Sequence, residues 1–361
     1  MMPAAGFILS RLSPGEGSRG YAGRMTVRYR WRLLRAGAFR LDAGSMFGVI
    51  PRAVWHKWVQ ADDRGRMRVQ HNCLLLERAD DAPPPPPGLP RPLYPDAPKL
   101  VVVEVGTGDK LDEKSRDIFA LTERSIADAL HEADCRPEDV DAVFVTHLHF
   151  DHAGGLTRRP RAGETPDWTG EASTFSGRPG IHGVKRTFPN AHLYVQAREW
   201  NDARANRSVM TRTYFRDHLE PLADRVRTID SPRPFPTGYC PDRDETPRLP
   251  HEIRRTEVLP GLFTFLAPGH TWGQQAIEFT DVKGRTVVFT PDVLPTAAHV
   301  SAAASLAYDV EPYTSMVTKR WFLSAASERD WLLILDHEPD NPCRRARPDG
   351  KGWFTLEAED E

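Results

Sequence analysis

Chemistry in this chain of 361 residues concentrates first at His147-Leu148-His149-Phe150-Asp151-His152. Three imidazoles and a carboxylate fall within one short segment. Imidazole nitrogen with carboxylate oxygen is a donor set for zinc, iron and related divalent ions. A polar loop that merely happened to gather these residues would leave costly unpaired imidazoles wherever it was buried. Metal binding is therefore the reading the segment supports. The residues just before it, Val140 to Val145, form a hydrophobic run that reads as a strand. Chain leaving a strand can turn ligands from both sides of the backbone into one site. Gly154-Gly155 follows at once and permits tight turns.

The elements that must position this segment can be read from periodicity. Thr26 to Leu34 alternates as a strand does, and Asn72 to Glu77 and Lys99 to Val105 read as buried strands. Ser115 to Ala133 has helical spacing, with Ile118, Leu121, Ile126 and Leu130 near one face. Further strands are expected at Ala191–Gln196, Leu262–Leu266, Gln275–Phe279, Thr286–Thr290 and Trp331–Leu335. Helices are expected at Ala197–Arg204 and about Tyr313–Ser327. Residues 158–183 and 230–250 read as long loops, and Pro83 to Pro87 as an extended surface loop. Strands clustered towards both ends, with helices between, fit a layered α/β protein. Residues 1–24 are expected to be a disordered extension, or to precede the true start at Met25. Residues 25–340 then form the domain, and 341–361 a C-terminal tail.

Bulk composition excludes several classes. A formal charge of −2 gives no field suited to nucleic acid. No run of about 18 apolar residues suggests a membrane span. Gly106-Thr107-Gly108 is not continued into a phosphate-binding pattern. Gly44-Ser45-Met46-Phe47-Gly48 has the wrong spacing for a serine nucleophile elbow. The four cysteines, Cys73, Cys135, Cys240 and Cys343, lie far apart and read as thiols of a reducing cytoplasm.

The string Thr146-His147-Leu148-His149-Phe150-Asp151-His152-Ala153-Gly154-Gly155 resembles the H-x-H-x-D-H signature of the metallo-β-lactamase superfamily. Ala267 to Thr271 resembles that family's G-H-T segment, Phe289 to Asp292 its strand-end aspartate, and Leu333 to Pro339 its last strand and histidine. Singly, His270 reads as a turn residue, Asp292 as a helix cap and His337 as a core histidine; together they complete the family's order. The resemblance implies a four-layer αββα sandwich and two divalent metal ions, zinc by default. It assigns His147, His149 and His270 to one metal, Asp151, His152 and His337 to the other, and Asp292 to both. Asp336 is read as a partner orienting a ligand. Glu104 stands where the family commonly has aspartate.

Two such ions sharing a bridging hydroxide would perform hydrolysis. Asp151 is then part of the catalytic centre, and Tyr308, beyond the Asp292 loop, is the candidate general acid. No cysteine stands at a ligand position, which turns the reading away from zinc β-lactamases. Leu148-His149 departs from the flavodiiron H-x-E-x-D pattern, and Leu148 departs from glyoxalase II. Asp42 to Pro51, Phe188 to Ala191, Pro295 to His299 and Ala307 to Asp309 are similar to the branch with quorum-quenching lactonases. That branch implies Met46 and Phe47 at the entrance to the metals and His299 lining the pocket. The expected activity is opening of a lactone or ester, N-acyl homoserine lactones included. A phosphotriesterase or phosphodiesterase with the same site is the first rival, and a non-catalytic metal-binding module the second. The expected partner is a small molecule, with no nucleic acid or membrane, and a homodimer is the assembly to test.

Overall fold

The computed structural model describes residues 27–79, 98–171, 181–209, 213–236 and 251–361. The expectations for residues 1–24, Pro83 to Pro87, Cys240 and most of 230–250 lie outside them. Strand β1 (Arg28–Asp42) runs into a short helix α1 (Ala43–Phe47), capped by the Asp42 carboxylate, and then α2 (Arg52–Trp55). Strand β2 (Arg66–Ala79) pairs antiparallel with β1 along almost its whole length. Strands β3 (Leu100–Val103) and β4 (Ala142–Phe144) follow.

Between β3 and β4 lie two helices, α3 (Glu113–Phe119) and α4 (Ile126–Glu132), not the single helix that the spacing predicts. Ala120 takes a left-handed conformation at φ 43° and ends α3. Ser125 and Asp128 then form a reciprocal capping box that starts α4. Ile118 is exposed as a result.

After β4 come α5 (Phe150–Ala153) and a small sheet of β5 (Thr157–Arg158), β6 (Trp168–Glu171) and β7 (Ile181–Arg186), ordered β5-β7-β6. The stretch 158–183, expected as a loop, thus carries paired strands among its described residues. Strand β8 (His192–Gln196), α6 (Ala197–Arg204), α7 (Arg216–Leu219) and β9 (Val226–Ile229) complete the first sheet, ordered β1-β2-β3-β4-β8-β9.

The second sheet runs in chain order: β10 (Thr256–Leu259), β11 (Leu262–Leu266), β12 (Gln275–Thr280), β13 (Thr286–Thr290), β14 (Leu332–Leu335), β15 (Cys343–Pro348) and β16 (Phe354–Ala358). Helix α8 (Pro312–Glu328) connects β13 to β14, which pair parallel.

Strand alternation builds the layers. On β2, Leu74 and Leu76 face the second sheet, while Cys73 and Leu75 pack with Ile126, Leu130 and Trp200 from α4 and α6. On β14, Leu332 and Ile334 face the first sheet, while Leu333 and Leu335 pack with Trp321 and Phe322 of α8. Two sheets face to face, each with helices outside, make the αββα sandwich. No helix among the described residues is long and apolar enough to cross a membrane.

The segment expected as a tail is instead part of this sandwich. Its arginines disguise it, because they pair outward with acids: Arg345 with Asp330 and Glu359, and Arg347 with Asp330. Cys343 meanwhile packs between the sheets, and Ala346 against α8. A chain ending at Asn341 would leave β14 as a bare edge and uncover both packing surfaces. Such a loss of several kcal/mol should lower the thermal midpoint by on the order of 10 °C or prevent soluble expression. An unchanged melting curve for that truncation would show that these strands add nothing.

Candidate metal centre

Parallel pairs bring strand ends with the same sense to one edge of the sandwich. Strands β3 and β4 are parallel, as are β13 and β14. Residues just past each enter one volume: Glu104 after β3, Thr146–His152 after β4, Asp292 after β13, and Asp336-His337 after β14. His270 joins them from the turn between β11 and β12. The sheets are stitched together there. The Gln275 N–H donates to the Thr146 carbonyl at 2.9 Å, and the Asn72 N–H to the Asp336 carbonyl at 2.9 Å.

Two clusters of metal-binding donors result: His147, His149 and His270 in one, and His152, Asp292, Asp336 and His337 in the other. All seven are buried. His149 Nδ1 stands 2.9 Å from His270 Nε2, and His152 Nε2 stands 3.2 Å from His337 Nε2. Neighbouring donors on a tetrahedral ion with bonds of about 2.05 Å lie about 3.4 Å apart. Asp292 lies between the clusters, with Oδ2 3.1 Å from His270 Nε2 and 3.8 Å from His152 Nε2, and Oδ1 3.4 Å from His337 Nε2. Asp151 Oδ2 is 3.7 Å from His337 Nε2.

The far side of each ring fixes which nitrogen points inward. His270 Nδ1 donates to the Asp309 carboxylate at 2.8 Å, and His337 Nδ1 to the Gln70 carbonyl at 3.0 Å. His147 Nδ1 meets the Thr146 hydroxyl at 3.0 Å. The carboxylate and the carbonyl only accept, so in His270 and His337 Nε2 carries the inward lone pair. His147 Nε2 is buried without a hydrogen-bond partner. Converging lone pairs repel one another unless a cation sits among them, so the donor set fits divalent metal.

Electrostatics agree. Burial, reinforced by neighbouring imidazoles, pushes His147 and His149 well below the ordinary histidine range, which keeps them as neutral ligands. Burial opposes the charged form of His152, but the Glu104, Asp151 and Asp292 carboxylates outweigh it and raise it to about 10. Burial works to raise Asp292, yet His270, His337 and His152 hold it ionised. The centre attracts positive charge.

Glu104, the departure from the family pattern, is a working part of this frame. Its Oε1 accepts from the Thr146 N–H at 2.5 Å, and its Oε2 lies 3.3 Å from His152 Nδ1. The residue takes φ 66°, a left-handed conformation that is strained for glutamate. Gly154 and Gly155 serve close approach rather than a tight turn. A Cβ on Gly154 would stand 2.1 Å from the Thr107 carbonyl oxygen, and one on Gly155 2.1 Å from that of Val105.

The expected pocket residues sit differently. Met46 and Phe47 are buried, so they back the site rather than line its entrance. Phe47 stacks on His299, ring centroids 4.6 Å apart. His299 donates from Nε2 to the Met46 carbonyl at 3.0 Å and accepts at Nδ1 from the Thr296 hydroxyl at 2.7 Å. With both nitrogens engaged and no surface exposed, it anchors α1 and presents nothing to a pocket. Tyr308 packs edge-on to His270 at 5.8 Å, and its hydroxyl donates to Met46 Sδ at 2.7 Å.

A chain of the same superfamily accounts for this arrangement: the metallo-beta-lactamase superfamily model matches residues 99–337, and the chain belongs to that superfamily. It is a hydrolase with a His/Asp metal-binding site. A solved structure described as a probable metal-dependent hydrolase from Staphylococcus aureus superposes with a TM-score of 0.65, covering 93% of this chain and 100% of that one at 22% identity. AidC, a dizinc quorum-quenching lactonase in complex with a product, gives 0.61 over 93% and 97% at 14% identity. The hydrolase AbOPH gives 0.60 over 94% and 97% at 15% identity. At these identities the likeness concerns the fold. No curated protein sequence matches the chain.

Sequence reasoning missed Glu199. Its Oε1 accepts from the Leu148 N–H at 2.9 Å and the Tyr214 hydroxyl at 3.2 Å, and its Oε2 from the Thr271 hydroxyl at 2.6 Å. One carboxylate thereby holds both loops that carry the three-histidine cluster. The signal was its place on α6: Glu199 shares a face with Ala203, which is buried. Glu199→Gln sets an amide N–H against donors. Metal affinity should fall about 10–100-fold in competition with a chromophoric chelator. Wild-type affinity in that variant would reduce Glu199 to packing.

Proposed function

We propose that the chain is a dinuclear metal-dependent hydrolase that opens lactones or esters, with N-acyl homoserine lactones as the first substrates to test. The observation that carries this reading is Asp292 set between two donor clusters, with the Tyr308 phenol beside them. When bound, two divalent cations, zinc by default, would bring a water near neutrality as a nucleophile and draw charge from the carbonyl oxygen. His147, His149 and His270 would hold one, and Asp151, His152 and His337 the other, with Asp292 touching both.

The remaining work falls to the chain. Burial, with Asp292 and Asp151 nearby, pushes Tyr308 well above the ordinary phenol range. It is therefore a proton donor at neutral pH, suited to the alkoxide that leaves when the ester bond breaks. Val49, Val54 and Trp58, on the segment after Phe47, are exposed apolar side chains of the kind an acyl chain would pack on. The buried free thiols Cys73, Cys135 and Cys343 fit a reducing cytoplasm.

Metal-loaded protein should open N-acyl homoserine lactones, while His149→Ala should not. An aryl phosphotriester turned over faster than every lactone in the panel would replace this reading with phosphoryl transfer to water. Tyr308→Phe should lower kcat about 100-fold with KM and metal content nearly unchanged. Full activity in that variant would remove Tyr308 from the mechanism.

A further inference from the structure

We infer that Asp336 is itself a ligand of the second cation, which makes that half of the centre carboxylate-rich and suited to a harder ion of the Mn2+ or Fe2+ type. The assignment rests on the two-cation reading above and adds a ligand that the superfamily signature does not contain.

Three observations converge on it. One Asp336 oxygen lies within 4.8 Å of a donor nitrogen on His152, a donor nitrogen on His337 and an oxygen of Asp292, and those atoms are within the same distance of one another. Donors on opposite sides of one ion, with bonds of about 2.0–2.2 Å, are separated by at most about 4.4 Å, so the quartet has the spread of donors that close on one cation. Second, Asp336 is buried, neither of its oxygens meets an N–H donor, and the side chain it faces is the Asp292 carboxylate. A carboxylate in that state is costly unless a positive charge faces it. Third, the main chain that aims it is pinned. The Asn72 N–H donates to the Asp336 carbonyl at 2.9 Å, and Asn72 Nδ2 donates to the Leu335 and Glu338 carbonyls, both at 2.8 Å.

The small cavity beside Asp336 is lined by Cys73, Glu104, Asp151, His152 and His337, among others, with no lysine or arginine among its described lining residues. The two halves of the centre then differ in kind. His147, His149 and His270 make a nitrogen-rich position that suits zinc. His152 and His337 with Asp292 and Asp336, and with Asp151 Oδ2 3.7 Å from His337 Nε2, make a position richer in oxygen, which favours ions of higher coordination number and hard-ligand preference.

The alternative role for Asp336 is a protonated acid that donates to Asp292 and only positions it. Asparagine reproduces that donor but not an anionic ligand. Metal-free wild type and Asp336→Asn are each titrated with Zn2+ and with Mn2+, bound metal is counted by mass spectrometry, and folding is checked by circular dichroism. The expected result is two equivalents in the wild type. In D336N the first Zn2+ equivalent should be unchanged, the second equivalent weakened about 100-fold, and the loss greater for Mn2+ than for Zn2+. Second-site affinity within about threefold of wild type in D336N would overturn the assignment and leave the two-cation reading standing. A wild type that takes up one equivalent would overturn both. Should D336N fail to fold, the Co2+-substituted wild type decides. A six-coordinate Co2+ component supports Asp336 as a ligand, because the other four side chains and one hydroxide reach only five, and its absence overturns the assignment.

Discussion

The structure is organised around a concentration of ionisable groups that water does not reach. Five imidazoles (His147, His149, His152, His270 and His337) and four carboxylates (Glu104, Asp151, Asp292 and Asp336) are buried together at one edge of the sandwich. Burying even one unpaired charge is expensive. Such a group persists only if positive and negative partners are held within a few ångströms of each other, and if a cation completes the balance. A flexible loop could not impose that geometry. Parallel strand ends can, because each strand delivers its next residues to the same edge and the sandwich fixes where that edge lies. The buried apolar residues of β2–β3–β4 and β12–β13–β14 lock both sheets to each other and to the outer helices.

A second tier of contacts converts that location into orientation. Asp309, the Gln70 carbonyl and Thr146 each take the outer nitrogen of one ring, and Glu104 faces His152. Glu199 does not touch a ring. It holds the backbone between His147 and His149 and the hydroxyl next to His270. Removing an acceptor of this kind frees a ring or a loop to rotate, and the lone pair moves off target before any ligand is lost. The orientation of the donors therefore resides largely in residues outside the two clusters, a common division of labour at metal sites.

The buried donor clusters were legible in the sequence because their residue types are rare and their spacing is tight, although Asp336 stands in the second cluster where Asp151 was expected. The sandwich was legible from hydrophobic patterning: strands such as Leu262–Leu266 and Thr286–Thr290, and the helix Ala197–Arg204, lie where their patterns put them. What could not be read depended on distant partners. The arginines of β15 look solvated until Asp330 and Glu359 are brought beside them. The periodicity from Ser115 to Ala133 continues across a break that local capping creates at Ala120 and Ser125. Glu199 looks like any helical glutamate until the fold carries the loops at Leu148 and Thr271 onto it.

Met46, Phe47 and His299 show how a correct neighbourhood can be assigned the wrong surface. Their apolar and aromatic character suggested a pocket wall. The fold instead stacks Phe47 on His299 and uses the His299 imidazole to hold the Met46 carbonyl. That fixes the Met46 thioether under the Tyr308 hydroxyl. Sulfur is a weak acceptor. It can orient the phenol without competing strongly for its proton, whereas a carboxylate in the same place would bind that proton tightly. On the proposed reading, the buried segment Ala43–Phe47 acts as the mount of the proton donor. Substrate contact then falls to the exposed side chains that follow it, Val49, Val54 and Trp58. On that reading, a buried stretch, Ala43–Phe47, and an exposed apolar one, Val49 to Trp58, lie side by side in one short segment.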